Sequence, residues 1–101
     1  MILTGRRVGA AEGKTLGFVN EVVPKGQALD AAKRWAALIL ECSPLAVRAS
    51  KQAVYAGMDK PTLEAAIGTI YPSQQRNIDS EDYVEGPRAF AEKRKPAWKN
   101  R

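Results

Sequence analysis

Helical periodicity runs along most of this sequence, and each stretch of it is cut short by a proline or a glycine. From about Gln27 to Cys42, Leu29, Ala32, Ala36 and Ile39 recur at helical spacing while Asp30, Lys33 and Arg34 take the other side, the pattern of an amphipathic helix. Ser43-Pro44 supplies a capping hydroxyl and a proline at the first helical position, where a missing N–H costs nothing. A second helix is therefore expected to run to about Ala56, with Gly57 ending it. Asp59-Lys60-Pro61 repeats that start, and Leu63, Ala66, Ile67 and Ile70 line a third helix. Pro72 removes the hydrogen bond back to Gly68, so this helix should stop or kink near Tyr71. After a polar stretch, Ser80 caps a fourth helix with Glu81 and Asp82 in its first turn and Lys93, Arg94 and Lys95 at its end, charges that suit the helix dipole at both ends. Tyr83, Val84, Pro87, Phe90 and Ala91 form its apolar stripe, Gly86-Pro87 in its interior removes one backbone bond and can bend it, and Pro96 closes it.

Upstream of these, Val8 to Leu16 can form a short helix ended by Gly17, whose αL freedom suits a C-cap. Phe18-Val19-Asn20-Glu21-Val22-Val23, rich in β-branched residues and bounded by Pro24, reads as one short strand. A lone strand leaves its backbone N–H and C=O groups unpaired, so its partners are expected from elsewhere. The expected fold is mainly α, with four to five short helices plus one short strand in a single helical domain over residues 1–101. A chain of this size buries only a modest core. Its amphipathic stripes expose more apolar area than they can cover mutually, which points to oligomerisation or to docking on a further domain.

Composition narrows the chemistry. There is no histidine, which removes the usual general base near neutral pH and every Ser–His or Cys–His nucleophile. The single cysteine, Cys42, excludes an intramolecular disulfide and a cysteine-built metal site, and its place on an apolar helical face predicts a buried structural role. No metal is expected. The glycines at 5, 9, 13 and 17 do not form a phosphate-cradling loop. Carboxylates fall on predicted polar faces or helix starts, so no catalytic residue is assigned. The apolar run Trp35 to Leu40 is too short to cross a bilayer, and Thr4, Gly5 and two arginines interrupt Met1-Ile2-Leu3 before a signal-peptide core could form. A cytoplasmic protein with no membrane partner is expected. The net charge of +5 is concentrated in Arg6-Arg7 and in Lys93, Arg94, Lys95, Lys99 and Arg101. That terminal run, near Trp98, lacks the interleaved aromatics of a nucleic-acid platform, so no nucleic-acid partner is expected. It suits a small anionic ligand or the acidic groups of a neighbouring subunit.

Three stretches, in this order and spacing, resemble the enoyl-CoA hydratase (crotonase) family. They are Leu3-Thr4-Gly5-Arg6-Arg7 leading to Leu16-Gly17-Phe18-Val19-Asn20-Glu21-Val22-Val23-Pro24, then Ser43-Pro44-Leu45-Ala46-Val47-Arg48-Ala49-Ser50-Lys51, and then Ser80-Glu81-Asp82 through Glu85-Gly86 to Phe90-Ala91-Glu92-Lys93-Arg94-Lys95-Pro96. The ending, Glu85 to Arg101, is most similar to the carnitinyl-CoA dehydratase (crotonobetainyl-CoA hydratase) branch. The resemblance covers the whole chain.

It implies an enzyme of acyl-CoA metabolism in which an N-terminal spiral of ββα repeats precedes a C-terminal helical region used for trimer assembly, this chain corresponding to the second part. The family's oxyanion-hole loops and catalytic glutamates lie upstream of the Leu-Thr-Gly-Arg motif, so the resemblance implies no catalytic residue here and no activity of the chain alone. It implies one cofactor contact: Lys93, the first lysine of Glu-Lys-Arg-Lys, is similar to a residue that reaches the coenzyme A thioester bound by an adjoining subunit. The bare residues are equally consistent with a lysine that complements the helix dipole. Where the family often has an aromatic or leucine near the adenine, twelve residues before the glycine of Glu-Gly, this chain has Gln74. The expected partners are other copies of the chain, through trimer-type contacts, or an N-terminal crotonase domain. The alternative is a stand-alone helical oligomerisation or interaction module, which Met1 as a start would permit.

Overall fold

The structure is a computed structural model describing residues 1–101. It contains six helices: α1 (Ala10–Thr15), α2 (Ala28–Leu40), α3 (Pro44–Gly57), α4 (Leu63–Gly68), α5 (Pro72–Ile78) and α6 (Glu81–Ala91). The mainly α class is as expected, but one helix is additional and the strand is absent. The chain divides into two compact units, Met1–Ala37 and Leu38–Arg101, with the division inside α2. None of its helices is long and apolar enough to cross a membrane.

In the first unit, α1 ends where Leu16 N–H bonds Glu12 C=O at 2.9 Å and Gly17, at φ 88°, turns the chain out of the helix. Phe18 and Val19 then fold back over α1. Their N–H groups both reach Gly13 C=O, at 3.2 and 3.3 Å, and their side chains crowd the space where a Gly13 Cβ would stand, 2.9 Å from Val19 Cγ2. The expected strand over Phe18 to Val23 is therefore a correction: no neighbouring strand lies in the chain, and its first donors satisfy themselves on α1 instead. Glu21, further along this segment, accepts from Arg34 Nη2 at 2.7 Å and Trp35 Nε1 at 2.9 Å, tying the segment to α2.

The second unit is organised by helix caps. Ser43 Oγ accepts the Ala46 N–H at 3.4 Å with Pro44 at the first turn of α3, Thr62 Oγ1 accepts the Ala65 N–H at 3.1 Å at α4, and Ser80 Oγ accepts the Tyr83 N–H at 3.2 Å at α6. Thr62, rather than Asp59, caps the third expected helix. That helix ends at Gly68, with Thr69 extended, before the expected stop near Tyr71, and Pro72 starts another: it opens α5, which spans the stretch expected only as polar chain. Helix α3 packs against α4 and α5, and α5 against α6. Tyr71 is buried at the α4–α5 corner and donates its hydroxyl to Ala66 C=O at 3.2 Å.

The buried apolar residues are Ala31, Leu45, Ala49, Tyr71 and Ala89, three of them alanines. Larger apolar side chains lie outside: Leu40, Ile67 and Phe90 are 79%, 76% and 87% exposed. Cys42 is another correction. It is exposed because the apolar face at the end of α2 is itself left uncovered in this chain, Leu38, Ile39 and Leu40 being exposed with it.

Candidate functional site

Helix α6 and the tail that follows it hold the basic cluster. The helix ends in a Schellman motif: Lys93 N–H bonds Phe90 C=O at 3.2 Å and Arg94 N–H bonds Ala89 C=O at 3.0 Å. The residue at the αL position of that motif is Lys93 itself, at φ 52°. Glycine is the usual occupant, because a Cβ there is strained. A lysine held in this conformation is exposed at the turn.

After the turn, the tail folds back along α6. The Glu85 carboxylate accepts from Arg94 Nη1 at 2.5 Å, from Arg94 Nη2 at 2.9 Å and from the Ala97 N–H at 2.8 Å. These charge-assisted bonds from Arg94 and the backbone hold the Glu85 carboxyl down to about 2 and raise Arg94 above its ordinary value. Glu92 also accepts from Arg94 Nε at 2.6 Å and from Arg88 Nε at 3.0 Å, which lowers its pKa. The Trp98 ring lies against Gly86, 3.4 Å from where a Cβ would stand, and its Nε1 donates to Glu41 C=O at 2.8 Å.

Asp82 anchors the last residues. Its carboxylate is 2% exposed and accepts from the Lys99 N–H at 2.7 Å, the Asn100 N–H at 3.1 Å and the Ser43 Oγ at 3.0 Å. One side chain in α6 thus joins the tail to the start of α3. Lys99 Nζ and Arg101 Nε both pair with Glu81, at 2.9 and 3.1 Å, and these cations lower its pKa.

The basic run is therefore mostly answered from within. Arg88, Arg94, Lys99 and Arg101 each pair with a carboxylate, whereas Lys93 and Lys95 form no ion pair. The groove between α6 and the tail is lined by Asp82, Glu85, Arg88, Arg94 and Lys99, whose charges already face one another. What the turn offers to an outside anion is Lys93, with Lys95 two residues on. Gln74, which stands at the position that the resemblance associates with an adenine contact, lies in the first turn of α5, away from these lysines in sequence, and accepts the Tyr71 N–H at 3.5 Å. Sequence patterns did not single out Glu85 or Asp82: their tail partners lie nine to eighteen residues on and follow no helical period. No group of three or more His, Cys, Asp or Glu side chains is placed to hold a metal ion.

Comparison with known proteins gives this geometry its context. Residues 1–101 match the family model described as enoyl-CoA hydratase/isomerase. The chain belongs to that family. Over 107 aligned residues it is 40% identical to carnitinyl-CoA dehydratase of Escherichia coli K12, an alignment that takes in 100% of this chain and 40% of that protein. Among solved structures, an enoyl-CoA hydratase/isomerase from Mycobacterium paratuberculosis superimposes with a TM-score of 0.86 at 35% identity, over 97% of this chain and 38% of the other. An enoyl-CoA hydratase from Bacillus anthracis does so with a TM-score of 0.86 at 35% identity, over 99% and 38%. The six helices thus match the C-terminal helical region of the family's fold, and the chain spans about 40% of the length of the curated relatives it matches. The family and branch named from the three sequence stretches agree with these relatives.

Proposed function

We propose that this chain is the helical C-terminal part of an enzyme acting on acyl-CoA thioesters, as an enoyl-CoA hydratase or carnitinyl-CoA dehydratase does. It contributes subunit assembly and part of the coenzyme A rim, through Lys93, and leaves catalysis to residues on the rest of the fold. The observation that carries this reading is the match of the whole chain to two fifths of an enzyme named for its CoA thioester substrate.

Two features of the chain support it. The large apolar side chains left outside, among them Leu40, Ile67 and Phe90, call for protein to cover them, either further copies of the chain or the N-terminal part of a crotonase fold. Lys93 keeps its charge unpaired while four of its basic neighbours are neutralised, and it occupies a backbone position where glycine would be less strained. A lysine there is explained by what its ammonium group does outside the chain, such as donating to a phosphate of coenzyme A.

The test is to assemble the chain with the preceding part of the Escherichia coli carnitinyl-CoA dehydratase and follow hydration of crotonyl-CoA and crotonobetainyl-CoA. The assembly is expected to turn over substrate while the chain alone does not. Lys93→Ala is expected to weaken CoA binding about tenfold in the assembly, the loss of one charge-assisted hydrogen bond. Turnover by the chain alone that depends on one of its carboxylates overturns the proposal.

A further inference from the structure

Lys93 stays in the left-handed region although its own side chain disfavours it, so something adjacent must fix the turn. Besides the Schellman bonds themselves, the side chain within α6 that grips the far side of the turn is Glu85, which takes both terminal nitrogens of Arg94 and the Ala97 N–H. Glu85 sits in α6 two turns before the Schellman motif, and Arg94 and Ala97 flank the exit of the chain from that motif. Bonding both closes the segment from Arg94 to Ala97 onto the helix as a loop with one centre. The turn residue between helix and loop is Lys93.

We infer that Glu85 is a positioning residue that, through Arg94 and the Ala97 N–H, holds Lys93 in its left-handed conformation and so presents the ammonium group of Lys93 to coenzyme A. The inference rests on the proposed coenzyme contact of Lys93. Three further observations agree. The fork geometry of a bidentate arginine fixes direction as well as distance, which a single lysine contact would not do. Glu85 is the better-shielded member of the pair, its side chain 18% exposed against 38% for Arg94. Glu92 takes the remaining Nε of Arg94, so no donor of that guanidinium's inner edge is left to compete with Lys93 for the anion.

The experiment has two arms. In the first, amide hydrogen exchange of the full chain is read at Arg94, whose N–H closes the Schellman motif. Glu85→Ala is expected to speed that exchange about tenfold, and Glu85→Gln, which keeps an acceptor for Ala97 but loses the charge opposite Arg94, to speed it less. Adding Lys93→Gly to Glu85→Ala is expected to restore protection, because glycine holds the αL position unaided. In the second arm, CoA is titrated into the assembly with the Escherichia coli N-terminal part. Glu85→Ala is expected to weaken binding as much as Lys93→Ala does, the double variant no further, and Glu85→Ala/Lys93→Gly is expected to remain weak. Wild-type exchange in Glu85→Ala, or faster exchange that glycine does not rescue, overturns the positioning role, the second outcome marking Glu85 as a general tether of the tail. If Lys93→Ala leaves CoA affinity unchanged while the exchange results hold, the coenzyme contact is wrong and Glu85 positions Lys93 for no ligand, which overturns the inference through its premise.

Discussion

At the Asp82 carboxylate three donors converge, two backbone N–H groups of the tail and the Ser43 hydroxyl, in a site 2% exposed to solvent. Removing the acceptor leaves these groups without partners where water cannot replace it. Asp82→Ala is therefore expected to lower unfolding stability by about 2–4 kcal/mol, measured as a lower urea midpoint. Glu85 adds a pH dependence, because Arg94 and the Ala97 N–H stabilise its charged form. Its pKa falls from 4.5 unfolded to about 2 folded, so its contribution is fully present above pH 4.5 and is lost as pH falls through about 2. Acid unfolding followed by circular dichroism is expected to steepen in that window, and Glu85→Gln to flatten the slope there. On the sequence alone, Asp82 and Glu85 are only acids on a helix. Their roles depend on a tail that folds back nine or more residues later, a contact no local period encodes. Lys93 is proposed as a ligand contact from its resemblance to a family motif, whereas its αL backbone is not legible in the sequence, since lysine carries no preference for that conformation.

At the scale of elements, the caps were the most readable part. Ser43-Pro44 and Ser80 begin α3 and α6 as expected, since a hydroxyl acceptor followed by helix-compatible residues satisfies the first free N–H groups locally. Helix α5 is hidden in the sequence because Pro72-Ser73-Gln74-Gln75-Arg76-Asn77-Ile78 has no apolar stripe, and a proline there suits the end of one helix as well as the first turn of the next. The β-branched residues after Gly17 favour a strand, yet propensity without a partner edge does not make a ladder. Cap strength is open to direct test. Thr62→Ala removes the acceptor of the Ala65 N–H at α4 and is expected to cost about 1 kcal/mol, with amide exchange in α4 rising while that in α6 is unchanged.

At the scale of the molecule, the balance between a small core and a large apolar exterior sets what the chain can do. Leu45, Ala49, Tyr71 and Ala89 bury little area, while Leu40, Ile67 and Phe90 present theirs to solvent. The sequence stripes announced this excess, although they could not say which faces stay uncovered. Such surface is explained if further copies of the chain, or the N-terminal part of a crotonase fold, complete the packing. Light scattering on the purified chain, with and without CoA, measures this most directly. The account predicts a particle heavier than one 11.0 kDa chain, either for the chain alone or once the preceding part of the Escherichia coli carnitinyl-CoA dehydratase is added, and a monodisperse particle of one chain under both conditions would contradict it.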